Sequence, residues 1–292
     1  MTTKKRGILP TFKGPDNIVI SDREFQKLSD LVKRTAGIHL TPAKKDLVKA
    51  RLGKFLRSKG LKTFAEYYAM VLADTTQQSL IEFIDALSTN LTSFFREKAH
   101  LDFLAEKGLP EIVELRRRDL DRAIRIWSAG CSSGEEPYSI AITLEKSGIL
   151  NNGWRQEIFA TDICTNMLAR AKRGIYESSR VSGLDQTLLK LFFQKGYGKY
   201  AGYVKVKDHI RQVVSFSRVN LMDEFMWNKP FDVIFCRNVM IYFDKPTQER
   251  LVNKFYKHLR PGGFLFIGHS ENLSGIRHHL RHAGTAIYQK NN

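Results

Sequence analysis

Apolar side chains recur every three to four residues between residues 19 and 88, a spacing that predicts short amphipathic helices. Ser21 followed by Glu24 has the capping-box pattern of a helix start, and Thr63 followed by Glu66 repeats that pattern. Four such helices fit into this stretch. The sequence therefore predicts an N-terminal all-helical domain, residues 19–88.

From about residue 120 the pattern changes to short β-branched runs that alternate with helical stretches, which is typical of a parallel sheet covered by helices. The predicted strands of this sheet are 123–128, 157–161, 231–236 and 263–267. Two further runs, 203–206 and 213–216, alternate across a short polar connection and are predicted to pair antiparallel. The fold class is therefore α/β, a Rossmann-like doubly wound sheet in residues 89–292 with a small inserted antiparallel β-subdomain at about 175–218.

Composition excludes several classes of protein. Of the 292 residues, 42% are hydrophobic and 26% are charged, so the chain is neither collagen-like nor fully disordered. The longest apolar runs, such as residues 264–267, are far shorter than a membrane span, and no signal-like apolar region follows the basic start. We therefore expect a cytoplasmic protein without membrane insertion.

The chain is strongly basic. It has 47 Lys and Arg against 30 Asp and Glu, a net charge of +17 that favours a polyanionic partner. That partner could be nucleic acid, an anionic membrane surface or an acidic protein. Residues 1–18 carry part of this charge and are expected to form a basic flexible tail.

Three widely spaced cysteines offer neither a disulfide framework nor a metal-binding knuckle. They are Cys131, Cys164 and Cys236. We expect reduced thiols in or near the core and no metal site.

The loop after the first predicted strand bears glycines and two adjacent acids, Glu135 and Glu136. Glycine at this position of a doubly wound sheet lets a ligand approach the backbone and the helix N-terminus. The acids would repel a pyrophosphate and attract a ligand with an ammonium or sulfonium group. The alternative is a tight turn with exposed acids.

Asp162 ends the second predicted strand. An acid at that point can accept hydrogen bonds from the ribose hydroxyls of a nucleoside. It can also act as the N-cap of the next helix, and one carboxylate can do both.

Four motifs in this order resemble those of the CheR-type chemotaxis receptor glutamate methyltransferases, which are class I methyltransferases dependent on S-adenosylmethionine. The motifs are residues 90–97, 134–139, 235–243 and 268–271, and the resemblance extends from about residue 20 to residue 288. It implies a methyltransferase sheet that transfers methyl groups to glutamate side chains of chemoreceptors (methyl-accepting chemotaxis proteins) in chemotaxis adaptation. The products would be glutamyl methyl esters and S-adenosylhomocysteine.

The resemblance also implies the site residues. Arg96 and Tyr242 would be catalytic, with Tyr242 close to the transferred methyl group. The residues that would line the cofactor site are Asn90, Thr92, Arg96, Glu136, Asp162, Asn220, Leu221, Arg237 and Asn238. Which of Glu135 and Glu136 faces the cofactor is left open. Arg96 could instead pair with a neighbouring acid, and Tyr242 could be a core aromatic.

A glutamate acceptor has a reference pKa near ~4.3 and is already anionic at neutral pH, so the transfer requires no general base. Positioning and desolvation would then determine the rate. No histidine in the sequence stands out as a base, which agrees with a pre-ionised acceptor.

Two surfaces are predicted to contact receptors. Arg51, Lys54 and Arg57 fall opposite the apolar face of their helix, and the resemblance suggests that this ridge docks on chemoreceptor methylation helices. A solvated charged face is the alternative. The glycine-rich segment 196–203 edges the inserted β-subdomain, where some family members bind a receptor C-terminal peptide by strand addition. We expect a monomer that is recruited to receptor clusters at the inner membrane.

Two other functions compete with this one. A nucleic-acid methyltransferase would suit the charge. However, the sequence has no Pro-Cys dipeptide, since none of its three cysteines follows a proline. Residues 237–240 stand where some nucleic-acid methyltransferases have an Asn/Asp-Pro-Pro-aromatic motif, so no nucleic acid is expected as partner. The second is a non-catalytic signalling protein that binds S-adenosylmethionine.

Overall fold

The computed structural model describes residues 18–292. These residues form two units, one of 18–31 and 40–87 and the other of 32–39 and 88–292. The predicted basic tail, residues 1–18, lies outside the described residues except for Ile18, which is buried.

Between residues 22 and 87 the chain is helical, as its apolar spacing predicts. The helices are α1 (Asp22–Ala36), α2 (Lys45–Ser58), α3 (Phe64–Ala73) and α4 (Gln78–Leu87). The Glu24 N–H donates to Ser21 Oγ at 3.3 Å, and the Ser21 N–H donates to Glu24 Oε2 at 2.9 Å, which completes the predicted capping box. Thr63 Oγ1 accepts the Glu66 N–H at 3.1 Å at the start of α3. Local side-chain caps thus set where α1 and α3 begin, whereas α2 begins without one.

The second unit alternates helices and strands. Its helices are α5 (Lys98–Phe103), α6 (Leu109–Leu115), α7 (Glu135–Lys146), α8 (Thr165–Arg173), α9 (Gln186–Phe192), α10 (Asp208–Arg211) and α11 (Lys245–His258). Its strands are β1 (Ala123–Ala129), β2 (Arg155–Asp162), β3 (Ile175–Glu177), β4 (Phe193–Lys195), β5 (Tyr203–Val206), β6 (Val214–Arg218), β7 (Phe231–Cys236), β8 (Leu259–Ile267), β9 (Leu280–Gly284) and β10 (Ile287–Lys290).

Seven of these strands form one sheet in the order β6-β2-β1-β7-β8-β10-β9. The pairs β6–β2, β2–β1, β1–β7 and β7–β8 are parallel, while β10 is antiparallel to both of its neighbours. The chain winds outward from β1 in both directions, so the order reverses between β1 and β7. This confirms the predicted doubly wound α/β sheet, and the reversal marks the edge where such sheets bind ligands.

The inserted subdomain is confirmed as a small antiparallel sheet of order β3-β5-β4, but one predicted pairing is wrong. Residues 203–206 pair with β3 and β4, whereas 214–218 form β6 and run parallel to β2 in the large sheet. The insert is therefore shorter than the predicted range of 175–218. An alternation of apolar and polar residues indicates a half-buried strand and does not specify its partner.

The sheet is buried on both faces. On β1, Ile124 and Ile126 pack in one hydrophobic cluster, and Trp127 and Ala129 pack in the other. All three cysteines are buried and none is in a disulfide, and burial raises the pKa of the Cys131 and Cys236 thiols. In residues 18–292, no helix combines the length and apolar character needed to cross a membrane.

Candidate active site

The predicted site residues of the second unit lie in loops at the carboxyl ends of β1, β2, β6 and β7 and in the segment 90–97. Two glycines shape the first of these loops. Gly130 and Gly134 have φ of +91° and +96°, and a Cβ on Gly130 would lie 2.4 Å from Val239 Cγ2. Only glycine fits there, because both the backbone conformation and the close contact exclude a side chain.

Glu135 and Glu136, the first two residues of α7 directly after this loop, face different surroundings. Glu136 Oε1 accepts from Ser128 Oγ at 2.7 Å, and its Oε2 lies 3.0 Å from Arg237 Nε. Glu135 is fully buried and instead contacts Arg180 and Ser133. Burial raises the pKa of Glu136, and Arg237 acts in the opposite direction. Glu136 is therefore the acid at the carboxyl end of β1, beside its neighbouring strand β7.

Asp162 joins two loops. Its Oδ2 accepts the Ser132 N–H at 2.7 Å, and its Oδ1 accepts the Cys164 N–H at 2.8 Å. The residue that precedes α8 as N-cap is Cys164, so Asp162 does not fill that role. A carboxylate oxygen has two lone pairs and can accept more than one hydrogen bond, which suits a ligand hydroxyl.

Asn90 reaches the same two loops from the segment before α5. Its backbone oxygen accepts from Ser132 Oγ at 3.1 Å, and its Nδ2 lies 3.8 Å from Cys164 Sγ. Thr92, two residues later, is half-buried. The structure thus brings Asn90 to the Asp162 loops.

Arg237 is the centre of a buried polar cluster. Its Nη2 donates to the Arg96 carbonyl at 2.6 Å, and its Nη1 lies 3.4 Å from His100 Nδ1. The His100 Nε2 bonds to the Thr285 carbonyl at 3.1 Å. Burial, followed by the charge of Arg237, lowers the pKa of His100 to about 4. His100 is therefore neutral at pH 7, and its Nδ1 can accept from Arg237.

The backbone on both sides of Arg96 is left-handed, with φ of +53° at Phe95 and +50° at Glu97. This conformation is uncommon outside glycine, and here Ser139 Oγ supports it by accepting the Phe95 N–H at 2.9 Å. Arg96 Nη1 donates to the Leu91 carbonyl at 2.8 Å. That bond to a carbonyl, rather than an ion pair with a neighbouring acid, is what Arg96 makes in the structure.

Tyr242 ends a short 3₁₀ turn, Met240–Tyr242, that follows β7. Its ring is half-buried against one of the two hydrophobic clusters, and its backbone oxygen accepts the His39 N–H at 2.8 Å. Asn238, in the same segment, has φ of +59° and directs its Nδ2 toward Glu97 Oε1 at 3.3 Å. The segment after β7 therefore presents Arg237, Asn238 and Tyr242 from one short piece of backbone.

Asn220 and Leu221 follow β6, and both side chains are engaged in the fold. Asn220 Nδ2 donates to the Thr35 carbonyl at 2.6 Å, and Leu221 is buried in a hydrophobic cluster. The adjacent Val219 N–H donates to the Asp162 carbonyl at 3.2 Å. We expect this segment to meet a cofactor through its backbone rather than through these side chains.

Three buried or half-buried groups near Arg237 and Asn238 were not predicted as site residues. They are Glu97, His100 and Glu271. The sequence signal for Glu271 was the motif 268–271, which carried no role by itself. Glu97, His100 and His269 place possible metal ligands within 4.8 Å of one another. However, Arg237 Nε is 3.8 Å from Glu97 Oε2, so a positive charge already faces these groups. We assign the cluster no metal.

The predicted docking ridge lies in the first unit and needs one correction. Arg51 is half-buried, and its Nη1 donates to the carbonyl of Leu87, the last residue of α4, at 2.6 Å. The final carbonyls of a helix lack partners within the helix, and an arginine commonly supplies one. Lys54 and Arg57 are exposed. The exposed ridge thus consists of Lys54 and Arg57.

Both units match known protein families. Residues 90–289 match the family described as "CheR methyltransferase, SAM binding domain", and residues 23–88 match "CheR methyltransferase, all-alpha domain". The chain belongs to the CheR methyltransferase family. This confirms the resemblance noted in the sequence, and it identifies S-adenosylmethionine as the cofactor.

Curated relatives of this methyltransferase cover nearly its whole length. The chemotaxis protein methyltransferase of Borreliella burgdorferi is 43% identical over 94% of this chain and 96% of its own. That of Salmonella typhimurium is 42% identical over 93% of this chain and 91% of its own. Among solved structures, the glycopeptide N-methyltransferase MtfA with S-adenosylmethionine is 16% identical, with a TM-score of 0.31 over 55% of this chain and 53% of its own.

The residues present suit S-adenosylmethionine. The ligand carries a sulfonium and an ammonium, and the start of α7 places the partly buried Glu136 beside the point where the strand order reverses. Asp162 retains acceptor capacity for hydroxyls, and the glycines leave the backbone open to close approach.

Proposed function

We propose that this methyltransferase is a protein-glutamate O-methyltransferase that methylates the cytoplasmic helices of chemoreceptors. The observation that carries the proposal is the pairing of an acidic cofactor loop with Arg96 and Arg237 at the carboxyl edge of the sheet. Relatives named chemotaxis protein methyltransferase, alike over nearly their full length, support the receptor as substrate.

Bound S-adenosylmethionine supplies an activated methyl group on a sulfonium. We assign Glu136 to its ammonium group and Asp162 to its ribose hydroxyls. Arg96 has five guanidinium N–H groups, and one of its nitrogens bonds to Leu91, so others can hold a carboxylate. Tyr242 would lie beside the acceptor.

No residue of the chain has to remove a proton in this reaction. The acceptor glutamate is ionised at neutral pH, and transfer of a methyl cation neutralises it to the ester. The protein then contributes the positioning of the acceptor carboxylate against the methyl group and the exclusion of water from the site. The buried polar cluster around Arg237 would hold the site residues in position.

The direct test uses S-adenosylmethionine labelled in its methyl group, with chemoreceptor-containing membranes and RNA as parallel acceptors. Label on the receptor band that mild alkali releases as volatile methanol is the expected result, because only a carboxyl methyl ester behaves this way. Alkali-stable label on RNA would replace the proposal with a nucleic-acid methyltransferase. Binding of the cofactor with no label on either acceptor would favour a non-catalytic protein.

We also propose that Lys54 and Arg57 on α2 dock on the acidic methylation helices, at receptor clusters on the cytoplasmic side of the membrane. Both side chains are exposed on one helix, two turns of which carry no acid. Opposite charges across such a surface mainly raise the rate of encounter. The apolar face of α2 does not belong to this surface, because Val48, Leu52 and Leu56 are buried.

Reversing both charges, Lys54→Glu with Arg57→Glu, is expected to lower kcat/KM for receptors about tenfold or more at ~0.01 M salt. The deficit should shrink as salt rises, and the Kd for S-adenosylmethionine should not change. The control is Arg117→Glu with Arg118→Glu, the same charge change on exposed residues near the amino end of β1. Equal losses in both double variants would show that only net charge matters.

A receptor C-terminal peptide is a further proposed partner, bound at the free edge of β4. The Gly196 and Lys207 N–H groups bond to the Tyr203 and Phe192 carbonyls, so by alternation the backbone groups of Lys195 point away from β5. An extended peptide could pair with that edge. Titration with receptor tail peptides should show binding that Lys195→Pro abolishes, and no binding at ~1 mM peptide would remove the proposal.

A further inference from the structure

Glu271 follows β8 and is buried, and its carboxylate accepts three backbone N–H groups. Its Oε2 accepts from Asn238 at 2.9 Å and from Gly268 at 2.5 Å, and its Oε1 accepts from Ile241 at 3.1 Å. The Glu271 N–H in turn donates to the Gly268 carbonyl at 2.8 Å. One side chain thus binds the backbone of the β7 loop at two points.

The bonded segment is the one that carries the site. Between β7 and the end of the 3₁₀ turn lie Arg237, Asn238 and Tyr242. The segment is irregular, with Asn238 in a left-handed conformation, so its N–H groups have no strand partners and need another acceptor. Glu271 supplies that acceptor from a different loop, 33 residues away in sequence.

Gly268 makes this contact possible. A Cβ at Gly268 would lie 2.4 Å from Asn238 Nδ2, 2.8 Å from the Asn238 backbone nitrogen and 2.9 Å from Glu271 Oε2. The loop after β8 therefore packs directly on the loop after β7. A change at either Gly268 or Glu271 would displace the same backbone.

Stability alone gives little reason for a carboxylate at this position. Placing a charged group in the interior costs free energy, and burial raises the pKa of Glu271 although the neighbouring backbone N–H groups oppose this. Glu271 touches the backbone of the site segment but no proposed cofactor or acceptor group. Its geometry suits a role in holding that segment in one position.

We propose that Glu271 is a positioning residue for methyl transfer, which acts by fixing the backbone that presents Arg237, Asn238 and Tyr242. The proposal rests on the proposed function only in that receptor methylation is the reaction by which the effect on kcat is measured. A misplacement of reacting groups by about 1 Å can cost about 100-fold in rate, so a loosened segment should reduce turnover more than binding.

The test compares Glu271→Gln with the wild-type protein. Glutamine has nearly the same size as glutamate but only one acceptor oxygen. Its amide nitrogen is a donor, so it would face a backbone N–H without accepting a hydrogen bond from it. At saturating S-adenosylmethionine, kcat for receptor methylation should fall at least tenfold, while KM for the receptor should stay within about threefold. Gly268→Ala, with Glu271 intact, should reproduce the kcat loss.

The control is Glu249→Gln on α11. Glu249 also accepts a backbone N–H, that of Arg277 at 2.9 Å, but at the surface beside the exposed Arg277 side chain. Its kcat should equal that of the wild type. Glu271→Gln with unchanged kcat, or with a kcat loss that merely follows the unfolded fraction measured by circular dichroism, would overturn the proposal.

A second readout needs no acceptor. Amide hydrogen exchange in the segment 237–242 should accelerate about tenfold or more in Glu271→Gln, while exchange in β6 stays unchanged. Unchanged exchange in that segment would overturn the positioning role. Failure of the wild type to methylate receptors would instead contradict the proposed function and leave this readout intact.

Discussion

Replacing Glu136 with Gln is expected to raise the Kd for S-adenosylmethionine about 10- to 100-fold. The substitution removes the partly buried negative charge at the start of α7. This carboxylate lies 3.0 Å from Arg237 Nε and is proposed to bind the cofactor's ammonium. A hydrogen bond to a charged group contributes about 1.5–3 kcal/mol, which corresponds to this range. Isothermal titration calorimetry with S-adenosylmethionine and S-adenosylhomocysteine measures the effect.

The matched control is Glu135→Gln, the same change one residue earlier. The Glu135 carboxylate contacts Arg180 and Ser133, so its loss should lower the melting temperature and leave the Kd within about threefold. The opposite ranking, with Glu135→Gln weakening the cofactor and Glu136→Gln not, would show that the assignment of the two acids is reversed.

Replacing Arg96 with Ala is expected to lower kcat/KM for receptor methylation at least 100-fold. Arg96 is half-buried and follows and precedes residues of left-handed backbone, Phe95 and Glu97, and its remaining guanidinium N–H groups are proposed to hold a carboxylate bidentately. Without it the carboxylate loses both its partner and its orientation. Steady-state methylation at several concentrations of cofactor and receptor separates an effect on kcat from one on either KM.

Lys98→Ala is the control for this variant. Lys98 lies two residues away and forms an exposed ion pair with Asp102 at 2.5 Å, so its removal should change kcat/KM by less than about threefold. If Arg96→Ala retained more than a third of wild-type kcat/KM while its fold was intact, Arg96 would have no catalytic role. A loss confined to the KM for S-adenosylmethionine would assign Arg96 to the cofactor's carboxylate.

The acidic cofactor site and the basic surface of α2 have separate roles in the proposed function. We propose that Glu136 and Asp162 contact a cofactor that carries positive charge and that Lys54 and Arg57 contact an acidic acceptor. The cluster around Arg237 connects the two requirements, because it neutralises Glu136 and also supports the backbone of Arg96 through the 2.6 Å bond to its carbonyl. In the proposed function, binding of the cofactor and orientation of the acceptor therefore depend on the same buried guanidinium of Arg237.

Local features of the sequence predicted much of this molecule. The capping box at Ser21 and Glu24 formed as expected, because both groups lie within one helical turn. The strands β1, β2, β7 and β8 and the alternating helices followed from apolar periodicity, and the motifs at their ends identified the family. These signals depend on neighbours within about ten residues, which a sequence displays directly.

Other predictions needed the positions of residues that are far apart in the chain. Arg51 lies opposite the apolar face of α2, yet the end of α4 takes up its guanidinium, so helical spacing alone did not place it correctly. The strand at 214–218 has the alternation of a half-buried strand, and only its parallel register with β2 shows which sheet it joins.

The sequence by itself thus determined the N-terminal helices, the four parallel strands β1, β2, β7 and β8 of the large sheet, the family and the set of segments that carry the chemistry, but neither the place of β6 nor the strands β9 and β10. Only the tertiary structure decided that Glu136 rather than Glu135 meets Arg237. Adjacent helical residues point about 100° apart, and the entry angle of α7 is set by the left-handed Gly134. The tertiary structure also brought Glu271 to Asn238, because the parallel pairing of β7 and β8 places their carboxyl ends side by side.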